Sequence, residues 1–157
     1  MQKSRARESK IKVSQWTILK ILQWTTSYFQ SHDIESPRVD AEILLAYALE
    51  LKRIDLYLRY DQPLNEIELA KYKDLIKRRI RREPVAYIVG YKEFWSMNLA
   101  VSRDVLIPRP ETECLVEQIL KYLPETSDSD VRHVLELGTG SGAITLALAS
   151  ERPGHRF

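Results

Sequence analysis

The stretch most able to do chemistry is Val134-Leu135-Glu136-Leu137-Gly138-Thr139-Gly140-Ser141-Gly142-Ala143-Ile144. An apolar segment, a glycine turn and a helix-forming segment, in that order, predict the first unit of a doubly wound sheet. In such sheets ligands sit beyond the carboxyl ends of the strands. Glycine suits the turn because the chain must reverse through positive φ, and because a ligand can then approach the backbone with no Cβ in the way. Three ligand classes compete for the loop. A nucleoside triphosphate loop needs Lys and then Ser or Thr after its last glycine, and Ala143-Ile144 stand there instead. The dinucleotide fingerprint spaces its glycines GxGxxG, whereas Gly138, Gly140 and Gly142 are spaced GxGxG. Glu136, two residues before Gly138, would repel a pyrophosphate but suits the ammonium of a zwitterion. A turn that only reverses the chain is the bland alternative. It is disfavoured because three glycines in five residues weaken a fold unless something uses them.

Few other residues offer chemistry at useful spacing. Ile107-Pro108-Arg109-Pro110-Glu111-Thr112-Glu113 leads into a helix, and its two prolines fix the shape of the approach. Glu111 and Glu113 would complement the positive end of that helix, worth about 0.3–1 kcal/mol each. The single cysteine, Cys114, excludes an intrachain disulfide and a cysteine metal cage. Its place inside an apolar helix stripe predicts a core residue. His32, His133 and His155 lie far apart and make no metal-ligand spacing. Phe94 and Trp95 could stack on a base, but aromatic residues of a hairpin are more often packing. The basic run Lys77, Arg78, Arg79, Arg81 and Arg82 reads as a solvated helix face, with partner recognition as the sharper alternative.

These residues need elements to position them. With 157 residues, 44% hydrophobic and 29% charged, the chain has the composition of a globular protein of one or two small domains. A net charge of +2 is too small to imply a nucleic-acid partner. No apolar run approaches the roughly 18 residues that span a bilayer. Polar Gln15, Thr17, Lys20 and Gln23 interrupt any signal-type core, so a reducing, cytoplasmic location is expected.

Residues 1–12 read as a disordered basic leader. From Ser14 a helix is predicted, with Ile18, Ile21, Leu22, Thr25 and Phe29 on one face. A second starts at Ser36-Pro37, serine capping and proline at the first position, and turns Val39, Ile43, Leu44 and Tyr47 inward. A short helix follows over Ile54 to Leu58. Asn65 and Glu68 then form a capping-box pair for a longer helix with a stripe of Leu69, Tyr72, Ile76 and Ile80. Residues 13–83 therefore form a helical bundle. Residues 84–107 are rich in β-branched and aromatic types and predict a β-hairpin linker turning near Ser96-Met97-Asn98. A helix from about Glu111 to Tyr122 carries Leu115, Val116, Ile119 and Leu120. Pro124 to Asp130 is a polar connector, Val131 to Leu137 a short buried strand, and Ala143 to Ser150 a helix.

The GxGxG loop with its preceding carboxylate resembles the first motif of class I methyltransferases. The whole chain, from about Thr17 to Pro153, resembles the HemK/PrmC family of peptide chain release factor glutamine methyltransferases. Five segments carry the likeness: Glu35-Ser36-Pro37-Arg38-Val39-Asp40-Ala41-Glu42, Glu83-Pro84-Val85-Ala86-Tyr87, Glu93-Phe94-Trp95, Leu106 to Glu113, and the glycine loop. The resemblance implies an α+β chain: helical bundle, hairpin linker, then at 108–157 the first βα unit of a truncated, Rossmann-like methyltransferase domain. It implies S-adenosylmethionine as cofactor, held by Glu136, Gly138, Thr139, Gly140, Ser141 and Gly142, with Arg109 and Thr112 beside it. The bundle would recognise the substrate, a class I release factor, with ribosome association also implied and neither DNA nor a membrane as partner.

Two pieces of the family's pattern do not occur: an acidic residue at the end of the second strand and an Asn-Pro-Pro-Tyr motif that orients the glutamine amide. The expectation is therefore a chain that is truncated and catalytically inactive alone, with no catalytic residue of its own. Residues 131–157 are expected to be marginally ordered or to pair with the hairpin or a partner chain. The rival functions are methylation of a ribosomal-protein glutamine, a nucleic-acid amine methyltransferase, and a non-catalytic helical module that binds a release factor or ribosome.

Overall fold

A computed structural model describes residues 16–125 and 131–157. The basic leader and most of the polar connector lie outside the described residues. The elements are α1 (Ile18–Gln30), α2 (Pro37–Leu49), α3 (Arg53–Leu58), α4 (Glu66–Ile80), α5 (Val85–Val89), β1 (Tyr91–Phe94), β2 (Met97–Ala100), α6 (Thr112–Tyr122) and α7 (Ala143–Glu151). Helices plus one small antiparallel sheet make the fold α+β. The chain divides into two units, one ending at Val85 and the other beginning at Ala86.

In the first unit α2 is the central helix, with α1, α3 and α4 packed on it. The stripe Ile18, Ile21, Leu22, Thr25 and Phe29 of α1 is buried, as its spacing predicts. Thr17 caps this helix through its side chain. Asn65 and Glu68 form the expected capping box on α4, each satisfying the other's backbone N–H at 2.8 and 2.9 Å.

α2 departs from expectation. Pro37 occupies its first turn, but Ser36 makes no side-chain cap. Val39 and Tyr47 are exposed, while Asp40, Ala41, Glu42, Leu44, Leu45, Ala46 and Ala48 are buried. A helix with neighbours on several sides buries far more than one stripe, and then its charges need partners. Glu42, only 2% exposed, accepts from Arg38 Nε (2.5 Å), Arg53 Nη2 (2.8 Å) and the Tyr57 hydroxyl (2.5 Å). Burial pushes this carboxyl up, but the bonds from Tyr57, Arg53 and Arg38 outweigh it and hold it below the usual carboxylate range. Asp40 accepts from Arg79 at 2.7 Å, which ties α2 to α4. The Tyr72 hydroxyl donates to the Ala41 carbonyl at 3.0 Å, and burial pushes its pKa up.

The second unit is built on a hairpin and two helices, α6 and α7. Residues 85–89 form a short helix and not the start of a strand. Gly90, at φ +83°, ends it. The hairpin follows with Tyr91 opposite Ala100 and Phe94 opposite Met97. Its turn is Trp95-Ser96, one residue earlier than predicted, with φ of +50° and +57°. Two positive φ angles make a type I′ turn, whose twist matches the strands.

Phe94 and Leu99 of the hairpin share one apolar cluster with Val116 of α6 and Ala143, Ala147 and Leu148 of α7. The expected pairing of the C-terminal segment with the hairpin thus takes the form of helix packing. Val131 to Leu137 does not form the buried strand. It holds a single parallel bridge, His133 to Arg156. Leu135 and Leu137 are 83% and 86% exposed. One bridge leaves most of the segment without ladder bonds, and a strand needs both a ladder and a covered face.

Cys114 is exposed and not a core residue, because the buried face of α6 is centred on Val116. His155 is buried and pins this region: Arg132 N–H donates to its Nδ1 at 3.2 Å. Its proton therefore sits on Nε2, which donates to the Pro124 carbonyl at 2.9 Å.

Candidate functional site

The glycine loop begins where the segment after His133 turns toward α7. Gly138, Gly140 and Gly142 have φ of +76°, +56° and +75°, so all three use the conformation that favours glycine. The Gly142 N–H donates to the Thr139 carbonyl at 2.8 Å, closing the turn, and the Gly142 carbonyl accepts from Leu146 N–H at 2.8 Å, starting α7. A Cβ at Gly138 would meet nothing within 4 Å, and one at Gly140 only the Gly138 carbonyl oxygen at 3.8 Å. Open space therefore lies over the first two glycines. Their requirement is backbone conformation and approach from outside, not close internal packing.

Glu136 is half-buried, and its carboxylate accepts from the Thr145 hydroxyl in the first turn of α7. That bond aims a negative charge toward the amino end of a helix, where the backbone already carries partial positive charge. A carboxylate beside exposed loop backbone and a helix start can receive both ends of an amino-acid zwitterion. Thr139 and Ser141 complete the loop, Thr139 exposed and Ser141 half-buried.

Arg109 and Thr112 lie in the segment that leads into α6. Pro108 is buried and Arg109 exposed. The N–H groups of Thr112, Glu113 and Cys114 donate in turn to the carbonyls of Arg109, Pro110 and Glu111 at 3.0, 3.0 and 3.2 Å, winding the chain into α6. The paired prolines thus set where α6 begins. Val116 of α6 and Ala143 of α7 lie in one cluster, and this packing ties the proline segment to the glycine loop.

A group of residues beyond the predicted site surrounds Trp95. Its backbone N–H donates to Glu113 Oε1 at 2.8 Å and its indole Nε1–H to Glu151 Oε1 at 2.8 Å. The two carboxylates come from α6 and α7, so the hairpin tip is clamped to both helices. This accounts for a bulky residue at positive φ, which costs about 1–2 kcal/mol unless compensated. An open cavity of about 670 Å3 adjoins the clamp, lined by Lys92, Glu93, Trp95, Ser96, Glu113 and Glu151. Glu93-Phe94-Trp95 and Glu113 stand out as motifs. Nothing in the sequence marks Glu151, 56 residues from Trp95.

The basic run on α4 is largely occupied within the first unit. Arg78 makes two bonds to Glu83 at 2.8 Å, Arg79 holds Asp40, Arg82 donates to the Asp33 carbonyl at 2.7 Å, and Lys77 pairs with Asp74 at 2.9 Å. These arginines join the end of α4 to α2 and to the α1–α2 connection. Among the described residues no group of three or more His, Cys, Asp or Glu could hold a metal ion, and no helix is long and apolar enough to cross a membrane.

Comparison with known proteins converges on one group. Residues 20–90 match the family model of the PrmC N-terminal domain. A release factor glutamine methyltransferase of Rhodopirellula baltica is 46% identical over 88% of this chain and 47% of its own length. Proteins of the same name from Coxiella burnetii and Salmonella typhimurium are 53% and 49% identical, over 76% and 79% of this chain and 42% and 43% of theirs. The chain spans about half the length of the curated relatives it matches.

Proposed function

The chain belongs to the HemK/PrmC family, and from that premise we propose that its glycine loop binds the amino-acid end of S-adenosylmethionine for methylation of a release-factor glutamine. The observation that carries this reading is the pairing of three positive-φ glycines, the first two open to approach, with a carboxylate that Thr145 holds at the start of α7. Glu136 receives the ammonium, directly or through water. The backbone of Gly138, Thr139, Gly140, Ser141 and Gly142 encloses the amino-acid chain. Arg109 and Thr112, positioned by Pro108 and Pro110, stand on the cofactor side of α6.

When bound, the cofactor supplies an electrophilic methyl group, and the protein's contribution to an in-line displacement is positioning. The acceptor is the amide nitrogen of the glutamine in the release factor's Gly-Gly-Gln loop, with cytoplasmic location following from that substrate. The sequence contains no Asn-Pro-Pro-Tyr, and we assign no catalytic residue among its 157 residues. Residues 131–157 are read as the opening βα unit of a Rossmann-like domain, and the exposed Leu135 and Leu137 as positions that the packed layers of such a domain would cover.

Titration calorimetry of this chain with S-adenosylmethionine tests the reading. Wild type is expected to bind, Glu136→Gln to bind at least tenfold more weakly, and Gly140→Val not to bind. Wild type giving no heat would remove the loop assignment. Unchanged binding by Glu136→Gln would remove the carboxylate's role while leaving the loop.

A further inference from the structure

The first unit carries a groove that the cofactor reading does not use. α1 and α4 both pack on α2, and between them runs an apolar cleft of about 420 Å3. That volume falls within the ~300–1,000 Å3 range of ligand-binding clefts. Its floor is Ile21, Tyr72 and Ile76, all buried. One wall is aromatic, made by Trp24 and Tyr28 of α1 and by Trp16 just before that helix. Trp16 meets Trp24 edge to face at 6.3 Å between centroids, and Trp24 stacks on Tyr28 at 4.9 Å. Trp16 and Trp24 are 38% and 47% exposed, a large apolar area to leave in water.

The charged residues lining the groove are Lys73 and Lys77, one turn apart on α4 and both positive. Arg81 follows Lys77 by one more turn in the sequence. Asp74, bonded to Lys77 at 2.9 Å, offsets part of this charge. The balance along the groove stays positive. We propose that the α1–α4 groove docks an acidic amphipathic helix of a partner protein. Its apolar face would enter between the aromatic wall and Ile76, and its Asp or Glu flanks would meet the lysines.

Side chains from two neighbouring helices, those of α4 at three- and four-residue spacing, line a trough of the kind a third helix can fill by ridge-into-groove packing. The chain's own residues 1–15 carry the wrong sign for this position, with Lys3, Arg5, Arg7, Lys10 and Lys12 against Glu8. The proposal does not rest on the methyl-transfer reading, whose tests concern the glycine loop.

The experiment follows Trp fluorescence and calorimetric heat as the full chain is titrated with a synthetic helix bearing a leucine face and glutamate flanks. A lysine-flanked counterpart serves as control. The acidic helix is expected to bind and shift the emission. Affinity should fall at least tenfold in Lys73→Glu/Lys77→Gln and at least tenfold in Trp24→Ala, and should weaken as salt rises. Both lysines are exposed, so an unchanged unfolding midpoint shows that the charge variant is folded. No binding of the acidic helix, equal binding of the lysine helix, or equal affinity after charge reversal would each overturn the proposal. So would a shift produced by phosphatidylserine vesicles and not by the helix, or a groove occupied by a second copy of the chain, seen as concentration-dependent sedimentation abolished by Trp24→Ala.

Discussion

The two units solve the same problem, holding a few polar groups in place, by opposite means. In the first, a central helix buries charged residues and meets them with partners from neighbouring elements: Glu42 with Arg38, Arg53 and Tyr57, and Asp40 with Arg79. In the second, a small cluster around Phe94, Val116 and Leu148 supports a loop whose polar groups face outward, and Leu135 and Leu137 lie in solvent. Buried charges demand complete satisfaction and so specify one arrangement. A ligand loop needs the reverse, groups held in position but left available. The difference shows α2 using Asp40 and Glu42 of its motif for internal pairing, whereas the 138–142 loop, proposed to hold a ligand, has little packing role.

Removing Phe94 is the largest test of this contrast. The side chain is 1% exposed and joins the hairpin to α6 and α7. Phe94→Ala is expected to cost about 3–5 kcal/mol, read as lost hydrogen-exchange protection in α6 and α7. Protection that survives would show a second core sturdier than its few residues suggest. Glu42→Leu comes next, at about 2–3 kcal/mol by chemical denaturation. This is below the 3–5 of a fully buried pair, because Arg38 and Arg53 reach water and can be resolvated.

The same carboxylate sets a pH dependence. Its folded pKa lies below its unfolded value, so its stabilisation is complete above the unfolded carboxylate range and is lost as pH falls through the folded pKa. Denaturation midpoints of wild type and Glu42→Leu should therefore converge in acid. Parallel curves would place the stabilisation elsewhere. Glu113→Ala, which strips the acceptor from the Trp95 N–H, should cost about 1–1.5 kcal/mol and shift Trp95 emission. Glu113→Gln should recover most of it. The smallest effect is expected at Asn65, where loss of the cap in Asn65→Ala costs about 1 kcal/mol, measured by thermal unfolding.

Legibility in the sequence followed the range of the forces involved. Thr17, Asn65 and Glu68 act within one helical turn, so the α1 stripe and the α4 capping box could be read directly. The hairpin was legible as a hairpin, but its turn was misplaced because Trp95 in a left-handed conformation contradicts local preference. Carboxylates from α6 and α7 hold it there. Cys114, Val39 and Tyr47 were assigned inward by spacing alone, and spacing does not say how many neighbours a helix has.

By itself, the sequence determined α1 to α4, α6 and α7, the glycine turn and the likeness to the release factor glutamine methyltransferases, since propensity, capping and motif spacing are local and read along the chain. Tertiary structure alone decided which charges of α2 are buried and paired, that Arg78, Arg79 and Arg82 bond within their own unit, and that Glu151 belongs beside Trp95. Those outcomes depend on groups distant in sequence meeting within hydrogen-bond reach, where burial makes an unpaired charge costly. The loop of Gly138, Gly140 and Gly142 belongs to both accounts: its composition is written in the chain, and the Thr145 bond that aims Glu136 across it arises only once α7 has formed.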